Sequence, residues 1–181
     1  VVALLSLVIL LPTLWLGFGA DQGFYSYGAW AWRKFELAPY AWFFDQNFPG
    51  IFLLHYLVQM ILGESITAFR AFDLVWQVLT ALVLYEASRL VFKSRLSGFL
   101  AAMLYAVFYL NLGAWNSGQR DGFLLLFYLA GFILLLRASA NQVDALSALF
   151  AGLLMGLAFL LKPVAIIPAA VMTMLIFKSS K

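Results

Sequence analysis

The stretch Ile51-Phe52-Leu53-Leu54-His55-Tyr56-Leu57-Val58-Gln59-Met60-Ile61-Leu62-Gly63 decides the topology of this chain. It is apolar enough to suggest a membrane helix. It is also short, because a helix rising about 1.5 Å per residue needs roughly 20 residues to cross a hydrocarbon core of ~30 Å. His55, Gln59 and Gly63 recur every four residues along one side, as expected of a helix lying in or dipping into the interface. Charge bias arbitrates. If the stretch does not span, the helix over 66–92 carries Arg89, Lys93 and Arg95 to the side on which the chain starts. Arg137, Lys178 and Lys181 then fall on that side too, as the positive-inside rule expects. If it did span, all these bases would move outside. Six spans are predicted, not seven.

The flanking sequence fits a membrane class. Of 181 residues, 65% are apolar and 10% charged, and the mean hydropathy is +0.98, far outside the soluble range. The predicted fold is all-α: one polytopic transmembrane bundle with spans over 1–19, 66–92, 96–115, 122–137, 145–161 and 163–177. Residues 20–63 form an outer loop of interfacial amphipathic helices, rich in Trp, Tyr and Phe. Pro12 and Pro168 are expected kinks. A signal peptide exiting at Gly17 to Ala20 is the competing reading of the first run, but later helices need its orientation. The chain opens on Val1 without an initiator Met and closes just after a span, so it reads as the N-terminal portion of something longer, inactive alone.

Cysteine is absent and His55 is the one histidine, which removes disulfide, thiolate and His-rich metal chemistry. The net charge of +3 is not gathered on a soluble face, so nucleic acid is not an expected partner; membrane lipid is.

Gly19-Ala20-Asp21-Gln22-Gly23-Phe24-Tyr25 places an acid where the first span emerges. Pro39 and the Asn47-Phe48-Pro49-Gly50 turn divide the loop that follows. In the second span Arg70, Asp73, Gln77 and Thr80 share one helix face, which should turn toward the bundle. In the fifth, Ala148, Gly152 and Gly156 form a small-residue ridge expected to permit close helix contact. The outer face receives Asp21, Asp45, Glu64, Asp73 and Asp121 with Arg70, Arg120 and Lys162, while Glu86 and Asp144 stay inside. A carboxylate can act as general base on an acceptor hydroxyl while cations stabilise a phosphate leaving group. Each residue also has a structural reading. Asp21 and Asp121 could be interfacial carboxylates or helix caps, and Arg70 with Asp73 an intrabundle pair. Lys162 could be a snorkelling anchor, and His55 an interfacial polar residue. A transporter or flippase-like carrier, and a non-catalytic scaffold, are the competing functions.

The order of features resembles the N-terminal half of the GT-C membrane glycosyltransferases, in the protein mannosyltransferase, aminoarabinose transferase and RgtA/B/C/D-like group. An acid with a downstream tyrosine follows the first span (Asp21, Tyr25). A Pro-containing turn precedes an apolar helix (Asn47-Phe48-Pro49-Gly50). An arginine opens the second span after a glycine (Gly63, Arg70), and a second aspartate starts the fourth (Arg120-Asp121-Gly122). A glycine-leucine string ending in lysine closes the fifth (Gly152 to Lys162). Many relatives have Glu where Gln22 stands, and Lys or Pro where Phe48 stands. The resemblance implies inverting transfer of a sugar from a polyprenyl-phosphate donor to a lipid, glycan or protein acceptor. The site would face the periplasm, on a bacterial inner membrane. Asp21 and Asp121 would be catalytic. Tyr25, Asn47, His55, Arg70 and Lys162 would bind substrate, with Arg70 and Lys162 contacting donor phosphate or orienting the loop. No metal ligand is assigned, and a divalent cation stays open as cofactor.

Overall fold

The computed structural model describes residues 1–141 and 145–179, and every regular element among them is helical. The first apolar run is broken. Helix α1 (Val2–Leu10) passes into a 3-10 turn over Leu11–Trp15, and the chain then bends by 79° into α2 (Ala20–Phe35). Pro12 opens that turn, where its ring excludes the carbonyl four residues back and ends the α-helix. Gly19 provides the extended N-cap of α2. The bend falls where the expected first span over 1–19 gives way to the interfacial loop, and Asp21 lies in the first turn of the new helix. Helix α2 ends where Glu36 enters the left-handed region (φ 58).

After an irregular segment come α3 (Gly50–Leu62) and α4 (Ile66–Phe92). Ser65 caps α4 by accepting the Ala68 N–H at 3.1 Å. Lys93 ends it in the left-handed region, and Ser94 at once caps α5 (Arg95–Leu110). The hairpin between α4 and α5 closes tightly because Gly98 has no side chain. A Cβ there would lie 2.6 Å from the Tyr85 carbonyl oxygen. Within the expected span over 96–115 the helix α5 stops at Leu110, and α6 (Gly113–Asn116) is a separate turn opened by Gly113 at φ 66. Then follow α7 (Arg120–Asn141), α8 (Ala145–Leu161), a 3-10 turn over Pro163–Ala165, and α9 (Ile166–Ser179). Among the described residues α4 alone is long and apolar enough to cross a membrane by itself, with the bent α1–α2 pair a second if counted as one broken span. Helices α3, α5 and most of α8 are apolar but shorter. Asp144, Lys181 and the side chain of Lys178 lie outside the described residues.

Polarity is inverted relative to a water-soluble domain. Leu53, Leu57, Met60 and Ile61 of α3 and Leu149, Leu153 and Leu157 of α8 face outward, while Ser6, Thr13, Gln22, His55, Gln59 and Ser117 are buried. Arg70, Asp73, Gln77 and Thr80 all turn into the bundle and are wholly buried, as their shared face predicts. The polar side of α3 is also its packed side. Gln59 donates to the Ser26 carbonyl at 2.8 Å, and the His55 ring stacks on Phe69 at 4.3 Å and 13°. An apolar exterior over an interior in which Arg70, Asp73 and Gln77 are hydrogen-bonded suits contact with lipid, where unpaired polar groups are costly.

One expectation about packing is corrected. Gly152 and Gly156 face outward, with nothing within 4 Å of an added Cβ among the described residues. The close approach of α7 and α8 occurs instead at Gly131, where a Cβ would come within 3.3 Å of the Ala151 carbonyl oxygen.

Candidate active site

The site is built upward from a buried foundation. In the first turn of α2, the Gln22 side-chain oxygen Oε1 accepts the Gly19 N–H, and its side-chain nitrogen Nε2 donates to the carbonyls of Ser117 and Trp115. Gln22 is fully buried. It ties the start of α2 to the segment joining α6 and α7, and a glutamate would lack the donor half of this clasp.

Arg70, just inside α4, completes the foundation. Its guanidinium donates to the carbonyls of Leu16 (3.2 Å), Gly17, Ala114 (3.4 Å) and Ser117 (3.3 Å), and to the Ser117 hydroxyl (3.0 Å). It also lies 3.5 Å from Asp73 and is flanked by the rings of Phe18 and Phe69 at 5.9 and 6.0 Å. Gly118 passes beside it at φ 70, where a Cβ would meet Phe69 at 2.9 Å and the guanidinium at 3.0 Å. The Gly118 N–H is accepted by the Tyr109 hydroxyl (2.6 Å), which donates in turn to Asp73 (2.7 Å). Gln77 donates to the same Asp73 oxygen at 2.9 Å. Segment 114–118 is thus held from below by charged and neutral bonds together, the arrangement that makes a buried arginine tolerable.

Above this foundation the next three residues form the floor of an open surface. The Gln119 amide donates to the Trp115 carbonyl (3.1 Å) and to the Asp21 carboxylate (3.4 Å). Arg120 donates to the side-chain carbonyl of Asn47, and its guanidinium lies 5.9 Å over the Tyr25 ring. Asn47 donates to the Tyr25 hydroxyl at 3.0 Å. The loop holding Asn47 is fixed locally, since Tyr40 donates to the Asn47 carbonyl and Asp45 accepts the Asn47 N–H at 2.6 Å. Asp121 accepts two hydrogen bonds from Lys162, at 2.7 and 3.0 Å. Lys162 arrives there because α3 begins against the end of α8. A Cβ on Gly50 would lie 2.4 Å from the Leu160 carbonyl oxygen.

Asp21, Tyr25, Asn47, Asp121 and Lys162 therefore collect at one end of the bundle, from four separate parts of the chain. Arg70 and His55 do not join them. Both lie beneath, buried, with Arg70 engaged by backbone carbonyls and His55 held between Phe69 and Tyr25. Burial, with the Arg70 charge adding to it, pushes His55 down to about 3, so its ring is neutral. Burial pushes the Tyr25 hydroxyl up, Arg120 opposes this and Asp21 adds to it, and Tyr25 stays a neutral phenol. Gln22 and Gln119 belong to the arrangement although their positions alone did not assign them to it. Arg120 was expected on this face from the topology, but its partner Asn47, 73 positions away, was not. Among the described residues no three His, Asp or Glu side chains gather as a metal cage.

An exposed carboxylate at the same end of the bundle as two cations, Arg120 and Lys162, can accept a proton from a hydroxyl while the cations stabilise a departing phosphate. No curated protein and no solved structure matches the chain. Residues 46–181 match the family described as dolichyl-phosphate-mannose-protein mannosyltransferase. That segment covers most of the chain and includes Asn47, Arg70, Arg120, Asp121 and Lys162, so the chain belongs to this family of membrane glycosyltransferases.

Proposed function

We propose that the chain is the N-terminal part of an integral-membrane glycosyltransferase that moves a sugar from a polyprenyl-phosphate donor to an acceptor hydroxyl. Family membership implies a polyprenyl-phosphate-sugar-dependent, mannosyltransferase-like enzyme. The observation that carries the reading is the convergence of Asp21, Asn47, Arg120, Asp121 and Lys162 at one end of the bundle. Asp21 takes the acceptor proton, and the acceptor oxygen bonds to the anomeric carbon as the carbon–oxygen bond to phosphate breaks. A single displacement of this kind inverts the anomeric centre. Polyprenyl phosphate leaves with the bonding electrons, its charge met by Arg120 and Lys162. Asp121 holds Lys162 in place, and Tyr25 with Asn47 holds Arg120. Of the two roles open to Arg70, its buried geometry favours orienting the loop. His55 supports the Tyr25 ring from below.

An apolar cavity of about 360 Å³ opens beside Lys162, lined by Leu53, Leu54, Leu57, Phe72, Trp76 and Leu161 among others. It suits the isoprenoid chain of the donor. The six-span topology expected from the charge bias would put this end on the non-cytoplasmic side of a bacterial inner membrane, with Lys93 and Arg137 opposite. The chain contains no cysteine, so Asn116→Cys and Lys93→Cys each create a single thiol. An impermeant maleimide applied from one side should label only one of them, and labelling of both would refute the topology. The chemistry is tested by Asp21→Asn in the full-length protein supplied with a polyprenyl-phosphate sugar. Transfer should be lost while membrane insertion persists, and undiminished transfer would sink the proposal.

A further inference from the structure

The chain between α2 and α3 places Tyr40 in the left-handed region, at φ 67. Glu36, just before it, shares that conformation but closes a helix, where it is common. Tyr40 closes none. For a bulky side chain such a backbone is strained, and it persists only where the surroundings impose it. Three contacts impose it here. The Tyr40 N–H donates to the Phe43 carbonyl at 2.8 Å, the ring stands edge-on to Phe52 at 6.3 Å, and the hydroxyl donates to the Asn47 carbonyl. A glycine would make this turn without strain, and without the hydroxyl. Burial pushes that hydroxyl up, Asp45 adds to this and Arg120 opposes it, so at neutral pH the phenol keeps the proton it donates.

Asn47, which that hydroxyl holds, has all four of its polar groups engaged. Its N–H donates to Asp45 at 2.6 Å and its carbonyl accepts from Tyr40. Its side-chain oxygen accepts from Arg120, and its side-chain nitrogen donates to Tyr25 at 3.0 Å. The amide cannot turn without breaking its bonds to Arg120 and Tyr25, and the backbone beneath it is fixed by Asp45 and Tyr40. At the end of this series Arg120 is bonded to a neutral amide and lies over the Tyr25 ring, while its Nε is buried without a hydrogen-bond partner. A guanidinium held in this way is fixed in place with its charge unmatched. We propose that Tyr40 is a positioning residue for the donor: its hydroxyl fixes Asn47, and Asn47 fixes the Arg120 guanidinium where the donor phosphate arrives. The inference rests on the glycosyltransferase reading above, in which Arg120 meets that phosphate. A group set in place beforehand loses less freedom on binding, so the strain held at Tyr40 serves donor affinity. Anchoring to a membrane surface would use the ring alone, and neither the left-handed backbone nor the bond to Asn47.

The test measures equilibrium binding of radiolabelled polyprenyl-phosphate mannose to the full-length protein in detergent. Tyr40→Phe deletes one hydroxyl and keeps the ring. It should raise the donor Kd about tenfold, the scale of one hydrogen bond to a charged group, with thermal unfolding little changed. Tyr40→Gly relieves the backbone but also lacks the hydroxyl, and should bind the donor no better than Tyr40→Phe. In Asn47→Ala the link to Arg120 is already cut, so adding Tyr40→Phe should cause no further loss. Undiminished donor affinity in Tyr40→Phe or in Tyr40→Gly would overturn the proposal. So would a full further loss on top of Asn47→Ala, which would make Tyr40 a support of the loop at large. Arg120→Ala separates this inference from the reading beneath it. If Arg120→Ala binds the donor normally, Arg120 does not meet the phosphate and both fall. If Arg120→Ala binds weakly and Tyr40→Phe binds normally, the role of Tyr40 alone fails.

Discussion

The two ends of the bundle treat their charges differently. At one end Glu86 accepts from Arg89 through Nε and Nη2, both at 2.8 Å, and from Arg137 at 2.7 Å. One carboxylate is enclosed by two guanidiniums on α4 and α7, and all three groups are occupied with one another. At the other end Asp21 is exposed and held by one long amide bond. Asp121 has Lys162 but remains 67% exposed, and Arg120 is bonded to a neutral amide, not to an acid. Charges that hold helices together are matched to one another. Charges left half-matched over a rigid base are available to a substrate, and this contrast favours the Asp21 end for the chemistry proposed above.

The sharpest way to break the comparison is to neutralise one carboxylate at a time. Asp21→Asn should lower kcat by about 10²–10⁴-fold, the usual contribution of a general base, with no change in thermal unfolding. Next in size is Arg70→Met, measured as stability. It leaves Asp73 buried and uncompensated and frees the carbonyls of Leu16, Gly17 and Ser117. The expected loss is about 3–5 kcal/mol, read by thermal unfolding of the purified protein, and a loss below about 1 kcal/mol would contradict the foundation described above. Gly50→Ala follows, because its methyl would press on the Leu160 carbonyl and push α8 from α3. The cost should be about 1–3 kcal/mol. Donor KM should rise as Lys162 moves, and an unchanged KM would show that α3 does not position Lys162.

His55 gives the pH-dependent member of the series. Its folded value of about 3 lies below the ordinary 6.5, so the unfolded chain takes up a proton first as pH falls. Its contribution to stability is fully present above pH 6.5 and is lost progressively between 6.5 and about 3. The slope approaches about 1.4 kcal/mol per pH unit within that window. His55→Leu should flatten this part of the profile, and an unaltered acid slope in the variant would assign it to other groups.

Parts of this arrangement were readable from the chain and parts were not, for physical reasons. The burial of Arg70, Asp73, Gln77 and Thr80 follows from steps of three and four, because helical spacing fixes which residues share a face. That α3 is short followed from the length of its apolar run. The bend after α1 was foreshadowed by Pro12, but whether a proline kinks or ends a helix depends on what the next segment packs against. Spacing also found the Gly152 and Gly156 ridge, and it cannot tell which neighbour meets a face; the ridge points outward. The bonds of Arg120 to Asn47 and of Gln22 to Ser117 join residues distant in sequence, so no local pattern reports them. Gln22 resembled a loss against a family acid, and its geometry makes it a two-ended clasp.

The smallest effect is expected where the pairing is tightest to the eye. Glu86→Gln removes the carboxylate shared by Arg89 and Arg137, yet these groups sit near the surface of the bundle end, where solvent screens them. The substitution leaves a side chain of the same shape, and α4 and α7 keep their apolar contact through Ala87, Leu129 and Ile133. The expected drop in Tm is roughly 2–4 °C. Transfer should be unaffected, since some 16 helical residues, about 24 Å at 1.5 Å each, separate Glu86 from Arg70 on α4. Loss of activity without loss of stability in this variant would reverse the assignment of the two ends, because it would place chemistry at the matched cluster instead of at Asp21.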